Sequence, residues 1–203
     1  MIILNSFNEK VKEKIKQYSN QEYLDGYIKE EFLTDDGDAD IFIYLESKDE
    51  LFDSRTRGKQ KELNSEIYDF IEDKSSMLDN DTRINFHING IELTSKEQGI
   101  VKHLVKEHYA IELYKSQNEY LKIKNKIFKL IILGLTSFLL YIFFFFATDF
   151  DFFIEVFGFI FSFALWEGFD AMIYSLSEIK EEREAITQNL LMDIEFNDIN
   201  IKD

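Results

Sequence analysis

Between Ile127 and Ala147 the chain reads IFKLIILGLTSFLLYIFFFFA, with Lys129 as its only charge. A helix of this length rises about 30 Å at roughly 1.5 Å per residue, the thickness of the hydrocarbon core of a bilayer. A helix of a soluble core carries a polar stripe, and Leu130 to Ala147 has none. A second run, FFIEVFGFIFSFALWEGFDAMIY over residues 152–174, holds Glu155, Glu167 and Asp170 but is uncharged from Val156 to Trp166. Only Thr148-Asp149-Phe150-Asp151 separates the two runs. So short a link requires antiparallel neighbours, and the expected arrangement is a transmembrane hairpin whose first partner is the lipid bilayer.

Flanking charge sets the expected orientation. Lys115, Lys122, Lys124, Lys126 and Lys129 precede or open the first span against one acid, Glu119. The connecting turn offers only Asp149 and Asp151, whereas Lys180 and Arg183 follow the second span. Lysine and arginine stay on the cytoplasmic side and acids count little, so both termini are expected in the cytoplasm, with the protein at the cell membrane. At the N-terminus the apolar Met1 to Leu4 comes before the lysines rather than after them, the reverse of a secretory signal. The predicted organisation is a cytoplasmic α+β domain (residues 1–114), a basic juxtamembrane helix (115–126), a first span (127–147), an external turn (148–151), a second span (152–174), and a charged helix with a terminal strand returning to the N-terminal domain (175–203).

The polar residues of the spans are the expected organising sites. In an antiparallel pair centred on the turn, Lys129 reaches the level of Asp170, where an ion pair offsets the cost of either charge near lipid. Gly134 falls beside Ala164, Leu165, Gly168 and Ala171, and small residues permit close helix approach. Glu155 lies near the outer surface. Glu167, beside Trp166, is deeper and has no evident partner in its own hairpin. Residues Lys129, Gly134, Glu155, Trp166, Glu167, Gly168 and Asp170 are therefore the candidates for assembly.

The cytoplasmic part mixes both periodicities. Ser6 and Glu9 have capping-box spacing for a helix carrying Phe7, Val11 and Ile15. Residues 27–33 and 39–46 flank Thr34-Asp35-Asp36-Gly37-Asp38 and predict a β-hairpin, with Ile41 to Leu45 as a central strand because both faces are apolar. Residues 63–78 predict a helix. Arg83 to Ile88 alternates and predicts a strand with one wet face that includes His87. Ser95 and Gln98 are expected to cap a helix continuing through Tyr114 and Lys126 into the first span, and Met192 to Phe196 alternates as a last strand. The fold class is α+β, one small sheet with helices, on an antiparallel two-helix hairpin.

Chemistry is sparse. A net charge of -16 argues against nucleic acid, whose phosphates need a basic surface. Cysteine is absent, so thiol catalysis and thiolate metal sites are excluded. The run Asp35-Asp36-Gly37-Asp38-Ala39-Asp40 fails the calcium-loop pattern, since a loop begun at Asp36 puts Ile41 and Ser47 where Gly and Glu belong. Asp38 and Asp40 have the spacing of nucleotidyltransferase aspartates but lack the upstream Gly-Ser turn and helix. His103 and His108 sit five apart and do not share a helix face as zinc ligands would. Arg55, Arg57, Lys59 and Lys61 form a local basic cluster able to meet an anion or lipid phosphate. No catalytic residue, cofactor or metal is predicted, and the chain is not expected to be an enzyme.

The stretches Asp38-Ala39-Asp40-Ile41-Phe42-Ile43-Tyr44, Leu51-Phe52, Asn64 through Glu72, and Trp166-Glu167 followed by an Arg-containing charged helix resemble a family of uncharacterised small bacterial membrane proteins. The resemblance covers about residues 24–197. It implies a cytosolic α+β domain on a C-terminal two-helix hairpin and brings no activity with it. The expected function is a homo-oligomeric sensor or scaffold whose cytoplasmic ligand or protein partner the sequence does not name. The rival is a pore-forming or membrane-disrupting effector, with Glu155 and Glu167 lining a conduit gated by the cytoplasmic domain.

Overall fold

The computed structural model describes residues 26–28, 31–56, 58, 61–147 and 151–197. The expected helix after Ser6, the cluster members Arg57 and Lys59, and most of the turn at 148–151 lie outside them. The chain divides into two compact units, Met1–His108 with Gln188–Asp203, and Tyr109–Thr187.

The first unit is built on a three-stranded sheet of β1 (Ala39–Tyr44), β2 (Ile84–Asn89) and β3 (Asp193–Asn197), in that order and all parallel. Strands and helices together fit the α+β class. Parallel neighbours need crossover connections, and β1 reaches β2 through α1 (Lys48–Leu51) and α2 (Ser65–Ser75). Among the described residues the predicted hairpin is reduced to one antiparallel bridge. Residues 26–28 are helical, and only the bridge between Leu33 and Ala39 joins that segment to β1. The turn chemistry was read correctly, since Thr34 N–H donates to Asp38 O and Gly37 takes φ 86°, but Asp/Gly turns close many connections besides hairpins.

The expected roles of β1 and β2 are exchanged. β2 is the central strand and is buried along most of both faces, whereas β1 is an edge that leaves Phe42 46% exposed. On one face Ala39, Ile41, Ile84, Phe86, Ile88 and Ile194 pack with Leu51, Ile67, Ile71, Val101 and Val105 among the buried residues. This apolar layer is the core of the unit.

Two helices flank the sheet residues in sequence. The long α3 (Ser95–Ala147) is continuous. Its cap is Thr94 and not Ser95: Thr94 N–H and hydroxyl both donate to Glu97 Oε2, at 2.9 and 2.8 Å. Threonine with Glu three residues on satisfies the capping box more fully than Ser95 with Gln98. Helix α4 (Asp151–Asp170) runs into a π-helical turn at Ala171–Ser175 and then α5 (Leu176–Leu191). The helical stretches Ser95–Ala147 and Asp151–Leu191 are each long and apolar enough to cross a membrane.

Candidate functional site

In the second unit, α3 and α4 meet along a stripe. Lys126, Leu130, Gly134 and Phe138 follow one another at i+4, which places them on one helix face. A methyl group at Gly134 would stand 3.5 Å from Ala164 Cβ, one at Gly158 would stand 3.5 Å from the Tyr141 ring, and one at Gly168 would stand 4.0 Å from Leu130 Cβ. These are ordinary contacts, so the glycines leave space rather than permit backbone touching. That space is an apolar groove lined by Leu130, Gly134, Phe161, Ala164, Gly168 and Met172. Phe138 and Phe161 meet at 5.0 Å, and Phe144 stacks on Phe153 at 4.9 Å. Away from the stripe the apolar side chains point outward: Phe146 is 81% exposed and Phe159 73%, with Leu139, Phe143 and Phe163 alike.

The charges pair differently from the expectation. Lys126 Nζ donates to Glu167 Oε1 at 2.6 Å, so Glu167 has a partner within the same unit. Lys129 and Asp170 are both exposed, and no ion pair joins them among the described residues. Depth along the axis was the right criterion but an incomplete one. At about 100° per residue Lys129 is rotated well off the Lys126–Leu130–Gly134 stripe, while Lys126 lies on it. Glu155 is exposed, and Trp166 is 75% exposed.

In the first unit the second sheet face is polar. Its cross-strand register aligns Asp40, Asn85 and Asp193, then Phe42, His87 and Glu195, then Tyr44, Asn89 and Asn197. Sequence alternation put His87 on a wet face, yet it is only 9% exposed. Its ring stacks on Phe42 at 4.5 Å, with Nε2 3.4 Å from Asp40 Oδ1 and Nδ1 3.4 Å from Glu195 Oε2. Asn85 Nδ2 donates to Asp40 Oδ1 at 2.9 Å. Among the described residues, His87 Nε2 and Asn89 Oδ1 are buried and meet no hydrogen-bond partner. Nothing in the spacing of Asp40, His87 and Glu195 announces this constellation, because it exists only through the parallel register. Arg83 and Asp193 close the edge of the face at 2.6 Å, and this bond holds the Asp193 carboxyl below the usual carboxylate range.

Of the basic cluster, Arg55 and Lys61 are among the described residues. Arg55 binds both oxygens of Asp53, at 3.0 and 2.8 Å, an arrangement that lowers the Asp53 pKa. Lys61 Nζ sits 3.3 Å from the centroid of the Phe52 ring. Both cations are engaged by neighbours of their own loop.

No protein-family model, curated protein sequence or solved structure matches the chain.

Proposed function

We propose that the chain is a non-enzymatic, two-span protein of the cell membrane in which an antiparallel helical hairpin anchors a cytoplasmic sensing or scaffolding domain, acting as a homo-oligomer. The observation that carries this reading is the placement of both long apolar helices between two adjacent strands of one sheet, β2 and β3. A sheet cannot form across a bilayer. If the helices span, the chain must leave and return on the same side, which needs an even number of crossings. The lysines before the first span put that side in the cytoplasm.

The outward apolar side chains of both helices supply a lipid-facing surface. Helix contacts support the antiparallel pairing: as numbers rise from Lys126 through Gly134 to Phe144, their partners fall from Glu167 through Ala164 to Phe153. The Lys126–Glu167 pair favours an anchor over a conduit, because the deeper carboxylate is tied to a cation and not left to line a water path. The groove around Gly134 and Gly168 is the seam through which hairpins associate. The sheet face around His87 is the recognition surface, because the Asp40 and Glu195 carboxylates beside it are partly open to solvent.

Because the chain has no cysteine, single-cysteine labelling is direct. A membrane-impermeant maleimide should modify D151C in intact cells and D49C only after permeabilisation. A chain that stays in aqueous solution without detergent, or a D151C variant shielded in intact cells, overturns the reading. Planar-bilayer currents abolished by E167Q would replace the anchor with the pore.

A further inference from the structure

Lys122, Asn125, Lys126 and Lys129 line one groove together with Leu130 and Leu133. We infer that this groove is a binding site for the headgroup of an anionic phospholipid, an inference that rests on the two-span reading above. At about 100° per residue Lys122, Lys129 and Leu133 fall nearly in line on α3, with Lys126 and Leu130 on one side of that line and Asn125 on the other. The order along the helix is the order of an amphiphile standing in a leaflet. Cationic groups and an amide come first, and apolar side chains follow where the uncharged run begins.

The cations are available to a ligand. Lys126 is shared with Glu167, but its ammonium keeps further donors. Lys122 and Lys129 are exposed and join no carboxylate among the described residues, although Glu119 lies one turn before Lys122. A phosphodiester oxygen accepts from ammonium groups wherever they converge, and the Asn125 amide matches a glycerol hydroxyl. Leu130 and Leu133 continue the groove as an apolar floor, which a free phosphate would leave uncovered. The source of the phosphate is therefore a lipid.

The charge of the whole chain sharpens the point. A protein of net charge -16 is repelled overall by an anionic bilayer. A preference for anionic lipid must then come from a local site and not from general attraction.

The test uses the full chain in nanodiscs of phosphatidylcholine with a graded fraction of phosphatidylglycerol, with the lipids that stay bound on release read by native mass spectrometry. The wild type should retain phosphatidylglycerol in excess of its bulk fraction. K122Q/K129Q should lower that enrichment by roughly an order of magnitude or more, at about 1 kcal/mol for each lysine near the surface. K96Q/K102Q, which removes the same charge elsewhere, should leave it unchanged. Equal loss in both variants, or displacement of the lipid by millimolar inorganic phosphate, overturns the site. Flotation with pure phosphatidylcholine vesicles separates the two claims. A chain that floats but shows no phosphatidylglycerol enrichment loses the lipid site and keeps the anchor; a chain that does not float loses both.

Discussion

Gly90 follows β2 with φ 89°, a backbone conformation that a side chain strains by about 1–3 kcal/mol. A Cβ there would also run into the carbonyl oxygen of Leu45, the residue whose N–H donates to Asn89 O at 3.0 Å. Gly90→Ala should therefore lose more than the strain alone and loosen the β1–β2 pairing, read as a lower denaturation midpoint and faster amide exchange at Leu45. An unchanged midpoint would show that the turn can rearrange. Glu97 carries a different kind of information. Its carboxyl is held down to about 2 by the Lys48 ammonium, and then by the Thr94 N–H and hydroxyl, against an ordinary value of 4.5. The folded value lies below the unfolded one, so the stabilisation is complete above about pH 4.5 and disappears as pH falls through about 2. Glu97→Gln should be less stable than wild type at neutral pH, with the gap closing across that acid window. Parallel curves for the two proteins from pH 7 to 2 would refute it. Tyr68 is pushed up to about 12 by burial, with Glu62 and Glu107 adding to the shift, so it stays protonated across this range.

At the scale of elements, the sequence marks the helices and strands well and their partners poorly. The apolar run from residue 127 marks α3 because that signal is local, while its cap lies one residue before the expected Ser95, at Thr94. The hairpin expected around Gly37 failed because a turn fixes only a change of direction, while the strand partner depends on which apolar edges are free. β2 looked half-wet because Asn85, His87 and Asn89 alternate with apolar residues. His87 is buried because Phe42 stacks on it and Asp40 and Glu195 approach from neighbouring strands, and Asn89 is buried with it, while Asn85 stays half-buried. The Lys126–Glu167 pair is similar: both residues were visible, but helix phase chose Lys126 over Lys129. A double-mutant cycle with K126M and E167Q, measured by unfolding in micelles, should show about 0.5–3 kcal/mol of coupling, with the single K126M costing more than the double variant. Additive effects would mean that the pair contributes nothing.

For the molecule as a whole, the decisive feature is the separation of β2 from β3 by both long helices. Met192 and Ile194 are buried, and two side chains make four hydrogen bonds around the entry to their strand. Lys106 Nζ donates to Leu190 O and Met192 O, at 2.8 and 3.1 Å, while Gln188 Nε2 donates to Asp79 O and Thr82 O, each at 2.8 Å. Deleting residues 192–203 should expose the core under β2 while leaving the long helices able to insert. In membranes, limited proteolysis should then degrade residues 26–108 and spare a fragment spanning 115–187, whereas the intact chain resists in both. Equal resistance of the truncated chain would mean that β1, β2 and their helices fold without β3. Long-range closure of this kind also delays sheet completion until residues 193–197 are available.

Sequence by itself determined what depends on neighbours along the chain: two helices long and apolar enough to cross a membrane, and an α+β remainder. These follow from composition within a turn or two of helix or a few residues of strand. Tertiary structure alone decided that the sheet is parallel, that His87 stands buried between two carboxylates, and that Glu167 takes Lys126. Each of those is a contact between residues far apart in the chain, and only register and helix phase, set by the packing of the whole, can choose among the partners available.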